Sequence, residues 1–298
     1  MTLLSLIQRN IKMYFKDKGA FLSSLITPLI LLVLFVTFLR SVYIDSLEMS
    51  LPAGMSLPDE VLNGFAGSWL ISSLLATSTV TIAFCANMIM VADKANGNLK
   101  DLTIAPVSSS ILSLSYYLAT VIVTLIVCLA AFAIGLIYLG AVGFYLSFAD
   151  VVLTIVDIII LVMFGTALSS IVCRFLKTQG EISAVATLVS TVYGFISGAY
   201  MPISQFSDGL QDALMLFPGT YGTGLIRNHM MRGVIEEIAN NGIPTPVVDG
   251  MREAFDAKMY FFDKDVSLTA MYLVMVITIV VLIGVYLLIN FLLKKKKK

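Results

Sequence analysis

The chain has 298 residues, of which 58% are hydrophobic and only 13% charged, with a mean hydropathy of +0.95 and a formal net charge of zero. Soluble domains carry about 25% charged residues, so an ordinary soluble globular protein is excluded. The three cysteines, Cys85, Cys128 and Cys173, have neither metal nor disulfide spacing and read as apolar filler.

Residues 3–18 place Leu4, Ile7, Ile11 and Tyr14/Phe15 at helical spacing, with Arg9, Lys12 and Lys16 on the other face. This predicts an interfacial amphipathic helix over residues 1–19, its lysines turned to anionic lipid headgroups. A topology anchor and a functional contact both fit that segment.

A membrane span needs about 20 predominantly apolar residues. Six stretches qualify, approximately 20–40, 67–92, 110–140, 148–172, 181–200 and 267–293. Strand alternation is absent, so the expected fold is an all-α polytopic membrane protein of six transmembrane helices, one transmembrane domain over residues 1–298. The first stretch is not a cleavable signal peptide, because a charged helix precedes it and no small-residue cleavage site follows. Trp69 suits an interfacial belt at the start of the second span. The third span is unusually long and implies tilt; a tight turn, Gly140 to Leu146, follows it.

Charge is distributed unevenly. Thirteen of the nineteen basic residues, among them Arg9, Lys94, Arg174 and the terminal run Lys294 to Lys298, fall on one side of the six-span layout. The positive-inside rule places both termini in the cytoplasm of a plasma-membrane protein.

Asp157 lies about two turns inside the fourth span, where a carboxylate costs around 2.5–3.5 kcal/mol on insertion scales. It is either a contact for cationic cargo or a hydrogen-bonded packing residue, with Thr154 a candidate partner. Small residues such as Gly165, Ala167, Ser183, Ala184 and Gly194 mark spans four and five as helix–helix or subunit interfaces. Tyr193 and Phe195 add aromatic surface at that seam and join Asp157 as candidate substrate contacts.

The fifth span ends at Gly198 and Pro202, followed by an amphipathic piece, 208–217, and Pro218 to Gly224 with Tyr221. This segment is too apolar for an open loop and too broken for a span. A pair of re-entrant half-helices within an external segment, 201–266, fits it, with further helices expected near 228–239 and 249–262. His229, the single histidine, is expected there as a solvated surface residue. No catalytic constellation, metal-ligand spacing or GxxxxGK[ST] loop occurs, so the chain alone is not expected to be an enzyme or to bind a cofactor or nucleic acid.

Between spans two and three runs Asp93-Lys94-Ala95-Asn96-Gly97-Asn98-Leu99-Lys100-Asp101-Leu102-Thr103-Ile104-Ala105-Pro106-Val107-Ser108. Gly97 breaks a helix, Pro106 marks a new one, and Leu99, Leu102 and Ile104 form an apolar knob between charged shoulders. This segment resembles the cytoplasmic loop of type-2 ABC transporter permeases of the drug- and polysaccharide-export class, worded E-R-E-x-G-T-L-x-x-L-x-x-x-P-V-S. Asp93 and Lys94 stand for the acidic–basic pair; Ala95 replaces the second acid and Asn98 the Thr. Ser197-Gly198, Pro202, Leu210, Pro218, Tyr221 and Arg227 are similar to the family's signature between spans five and six.

The resemblance implies a permease dimer, of a second copy or a homologue, on two cytoplasmic ABC ATPase subunits that carry ATP and Mg. Segment 93–109 would be the coupling loop, with Asp93, Lys94, Gly97, Leu99, Leu102 and Pro106 serving ATPase coupling. Gly198, Pro202, Pro218 and Tyr221 would form an external gate. Abundant Met and Phe, 15 and 18 residues, suit export of an amphipathic drug, antibiotic or peptide. Sodium export, lipid-linked polysaccharide export, and an ATP-independent channel or immunity-type binding protein are the alternatives.

Overall fold

The computed structural model describes residues 2–99, 102 and 108–295. The chain opens with α1 (Leu3–Lys16), α2 (Lys18–Leu34), a π-helical turn (Phe35–Leu39) and α3 (Arg40–Met49). Next come α4 (Asp59–Ala86), α5 (Met88–Ala95), α6 (Ser109–Val142), α7 (Phe148–Phe175) and α8 (Gln179–Ile196). Beyond these lie α9 (Asp208–Met215), α10 (Pro218–Asn240), α11 (Thr245–Ala254), a hairpin of β1 (Tyr260–Phe261) and β2 (Lys264–Asp265), and α12 (Leu268–Lys295).

Five helical stretches among the described residues are long and apolar enough to cross a membrane: Phe21–Met49, Asp59–Ala95, Ser110–Val142, Phe148–Phe175 and Leu268–Leu292. Helix α8, expected as a span over 181–200, is not among them. It has 18 residues, opens on Gln179 and Glu181, and carries Ser183, Thr187, Ser190 and Thr191. Helix α6 has 34 residues, roughly 50 Å at the usual rise, which matches the long third span.

Helix α4 is the axis of the bundle. Its apolar stretch is 83% buried, against 17% for the last span. Its small residues, Gly64, Gly67, Ser72, Ser73 and Ala76, let α6, α7 and α10 approach closely. Four of its hydroxyls bond back to the same helix, Ser72 to the Trp69 carbonyl (2.7 Å), Thr77 to that of Ser73 (3.0 Å), Ser78 to that of Leu74 (2.6 Å) and Thr79 to that of Ala76 (2.7 Å), so burial leaves these satisfied.

Helix α1 is capped by Thr2, whose hydroxyl accepts from the Ser5 N–H (3.3 Å). Its stripe of Leu6, Ile7 and Tyr14 is buried, and α1 packs on α6. Protein therefore covers most of the amphipathic face expected to lie in the headgroup layer; Leu4 and Phe15 stay exposed. Tyr286, late in α12, stacks on Tyr117, early in α6 (6.2 Å). The bundle end holding α1, α5 and the close of α12 is called basal here, the other distal.

The segment after α8 departs from expectation in two ways. Helix α10 is one continuous helix from Pro218 to Asn240, buried along most of its length, rather than a half-helix followed by a surface helix at 228–239. Antiparallel to α7, it brings His229 to Asp157 and Arg232 to Asp150, so Pro218 lies deep in the bundle and Asn240 at its distal end. The helix expected at 249–262 stops at Ala254, because Asp256 takes a positive φ of 54° and the chain turns into the hairpin.

Candidate transport groove, polar core and basal junction

A groove of about 1240 Å³ runs along the bundle from basal to distal end. One wall is α2, the π turn and α3, through residues such as Ile26, Ile30, Phe38 and Tyr43; the opposite wall is α8, through Ser183, Ala186, Thr187, Ser190, Thr191 and Phe195. Thr81, Cys85 and Met88 of α4 and α5 form the floor, and Pro202, Met251 and Phe255 close the distal end. No charged side chain lines it among the described residues. Three α8 hydroxyls are spent on their own helix, Thr187 on the Ser183 carbonyl (2.9 Å), Ser190 on that of Ala186 (2.7 Å) and Thr191 on that of Thr187 (3.0 Å). The buried Thr81 hydroxyl of the floor has no protein partner.

The three candidate substrate contacts separate. Phe195 lines the groove and is 49% exposed. Tyr193 is turned inward, packed edge-on to Phe217 (5.9 Å), with its hydroxyl donating to the Gly219 carbonyl (3.5 Å); it pins α8 to the head of α10. Asp157 is outside the groove altogether. One oxygen meets His229 Nδ1 at 2.6 Å and the other accepts from the Tyr272 hydroxyl at 2.6 Å, joining α7, α10 and α12. Thr154, the expected partner, makes no such bond.

His229 is therefore not a surface residue; it is 3% exposed. Its neighbours Leu225, Ile226, Met230 and Met231 are buried with it.

A second polar cluster centres on Arg227, fully enclosed. Its guanidinium donates to Asp256 (2.9 Å), to the Gly198 carbonyl (2.8 Å) and to the Ser73 hydroxyl (3.0 Å), and it lies 4.9 Å from the Trp69 ring centre. Trp69 is thereby a buried platform, not an interfacial belt residue. Asp256 also accepts from the backbone N–H groups of Ile203 (2.6 Å) and Ser204 (3.1 Å). Burial pushes its carboxyl above the usual range, while Arg227 and those N–H groups pull it back. Of the candidate gate residues, Gly198 adjoins this cluster through its carbonyl and Pro202 through the neighbouring Ile203, while Pro218 and Tyr221 lie deeper along α10. Gly198 has φ +72°, and a Cβ there would sit 2.8 Å from Ile203. Pro202 precedes the short helical turn Ile203–Gln205, Pro218 starts α10, and Tyr221 is buried in the core.

At the basal end, Asp93 is 0% exposed. It receives both Arg9 guanidinium nitrogens (2.7 and 2.8 Å), the Tyr116 hydroxyl (2.5 Å) and the Asn98 amide (3.2 Å). The carboxylate holds the Arg9 guanidinium above its ordinary value. Lys94 Nζ donates to the carbonyls of Cys173 (2.9 Å), Arg174 (3.0 Å) and Leu176 (3.4 Å), which cap α7. The first charged shoulder of the expected knob thus faces inward. Gly97, at φ +80°, ends the helical run as expected. Leu99 and Leu102 are partly buried against the core, and Pro106 lies outside the described residues.

An all-helical bundle with several membrane-crossing helices is a multi-pass membrane protein. The family model for the ABC-2 type transporter matches residues 1–231, and the chain belongs to that family. It is thus a membrane subunit of an ABC transporter, a permease not itself catalytic, of a family that generally works with an ABC ATPase. No curated protein matches the chain.

Proposed function

We propose that this permease moves a neutral amphipathic molecule outward across the plasma membrane, driven by a separate ATPase docked at the basal end. The observation that carries this reading is the groove: long, apolar, edged by Met and aromatic side chains, and free of charged lining among the described residues. Such walls accept varied apolar shapes. Asp157 spends both oxygens on protein partners, which favours the packing role over a cation contact.

The basal end is read as cytoplasmic because the basic residues gather there. Helix α8 is read as the remaining span, its polar face shielded in the groove and its exposed Leu188, Val192 and Phe195 available to lipid or a second permease. Helices α9 and α10 form the re-entrant hairpin, and the Arg227–Asp256 cluster holds the external gate. Segment 93–109 couples to the ATPase, with Leu99 and Leu102 at its apolar surface.

The test is cargo-stimulated ATP hydrolysis by the reconstituted permease–ATPase complex. Leu102→Asp places an unpaired charge in an apolar socket and should abolish the stimulation; because the side chain also packs partly against the core, the loss is scored at a temperature below the variant's lowered unfolding midpoint. Unchanged stimulation would overturn the coupling assignment.

A further inference from the structure

Asp93 and Lys94 are adjacent and oppositely charged, and they reach in different directions. Asp93 grips Arg9 of α1 through two parallel hydrogen bonds of 2.7 and 2.8 Å, a planar arrangement that fixes orientation as well as distance. Helix α1 is in turn bound to α2: the Tyr14 hydroxyl donates to Ser24 (2.8 Å), and Asp17 alone separates the two helices. Helix α2 is one wall of the groove. Lys94 uses its three donors on the carbonyls of Cys173, Arg174 and Leu176. Those residues lead through a short turn into α8, the opposite wall, whose start is fixed by the Thr178–Glu181 capping box.

We infer that Asp93 and Lys94 form a two-pronged link that sets the spacing of the groove walls at their basal roots. Asp93 holds the α1–α2 wall through Arg9; Lys94 holds the α8 wall through the α7–α8 turn. Both are positioning residues, turned away from any docked ATPase. Helix α5 can carry both prongs as one piece. At its head Asn87 donates to Ser169 (2.5 Å) and accepts from Thr120 (3.2 Å). At its other end Asn98, in the helical stretch just past Gly97, donates to the same Asp93 carboxylate (3.2 Å). A displacement of Asn98 reaches the carboxylate directly and shifts both walls together.

The source of the displacement rests on the permease reading above, but the link is measurable without it. Spin labels at Ile26→Cys and Thr187→Cys, both lining the groove on opposite walls, are read by pulsed EPR in lipid nanodiscs, with the three native cysteines replaced. In the permease alone, Lys94→Met and Asp93→Asn should each widen and broaden the distance distribution. Lys94→Arg, and Arg9→Asp combined with Asp93→Arg, should bring it back toward the parent. One unaltered distribution across all variants would overturn the link. In the complex with its ATPase, ATP should shift the parent distance and Lys94→Met should lose that shift; a retained shift would also overturn it. Widening in the isolated permease, together with an ATP-insensitive parent complex, would uphold the link and count against the permease reading.

Discussion

The groove and the interior of α10 lie on either side of Trp69, whose ring packs at a tilt of 56° against the groove residue Tyr43 (4.4 Å) and underlies Arg227 (4.9 Å). They are built on opposite rules. The groove bears no charge among the described residues and ties the Thr187, Ser190 and Thr191 hydroxyls of its α8 wall back to their own helix, so those groups are not stranded when lipid or cargo covers the wall. Helix α10 carries Arg227, His229 and Arg232 into the bundle, and each meets an acid from another segment: Asp256, Asp157 and Asp150. Charge in this molecule fixes helices to one another, and its absence marks the surface left open. A pair buried at the core is strongly coupled, whereas a groove residue touches little, so the two regions should respond very differently to substitution.

The largest effect belongs to the Arg227 cluster. Arg227→Met or Asp256→Asn strands one partner of an enclosed pair and should destabilise the fold by about 3–5 kcal/mol, read as the unfolding midpoint in a denaturant titration in detergent. The double variant should lose less than the sum of the two single changes. Strict additivity would mean that the two side chains do not act as a pair. A smaller effect is expected at the second cluster. Tyr272→Phe removes one neutral donor from Asp157 and should cost about 1 kcal/mol, and His229→Gln about 1–3 kcal/mol, measured the same way. Losses at His229 below those of an exposed substitution would contradict its burial.

Much of this architecture was legible in the sequence. Long apolar runs marked the five extended membrane-crossing helices, and the helical spacing of Leu4, Ile7, Ile11 and Tyr14 marked α1. Gly97 ended a helix and a turn parted α6 from α7 where expected, since the positive φ at Gly97 and at Gly143 and the Ser147–Asp150 capping box that starts α7 act locally. Helix α10 was not legible in full. Arg227, Asn228, His229 and Arg232 make it look like a solvated surface helix until partners distant in sequence are folded against it. Asp93 and Lys94 misled for the same reason: a charged pair beside a glycine reads as an exposed shoulder, and only tertiary structure shows Arg9 and the end of α7 waiting for it. The groove has no local signature, because its walls come from α2, α3 and α8 and its floor from α4 and α5.

The central claim, that an uncharged groove carries a neutral amphipath, is tested most directly by transport into vesicles holding the permease and its ATPase. Matched neutral, cationic and anionic amphipaths of one scaffold would be compared for the parent and for Thr191→Lys, which puts a charge on the α8 wall. The account predicts ATP-dependent transport of the neutral compound above both charged ones, and its loss in Thr191→Lys with the permease still folded. Equal transport of all three compounds, or an unchanged rate in Thr191→Lys, would contradict it.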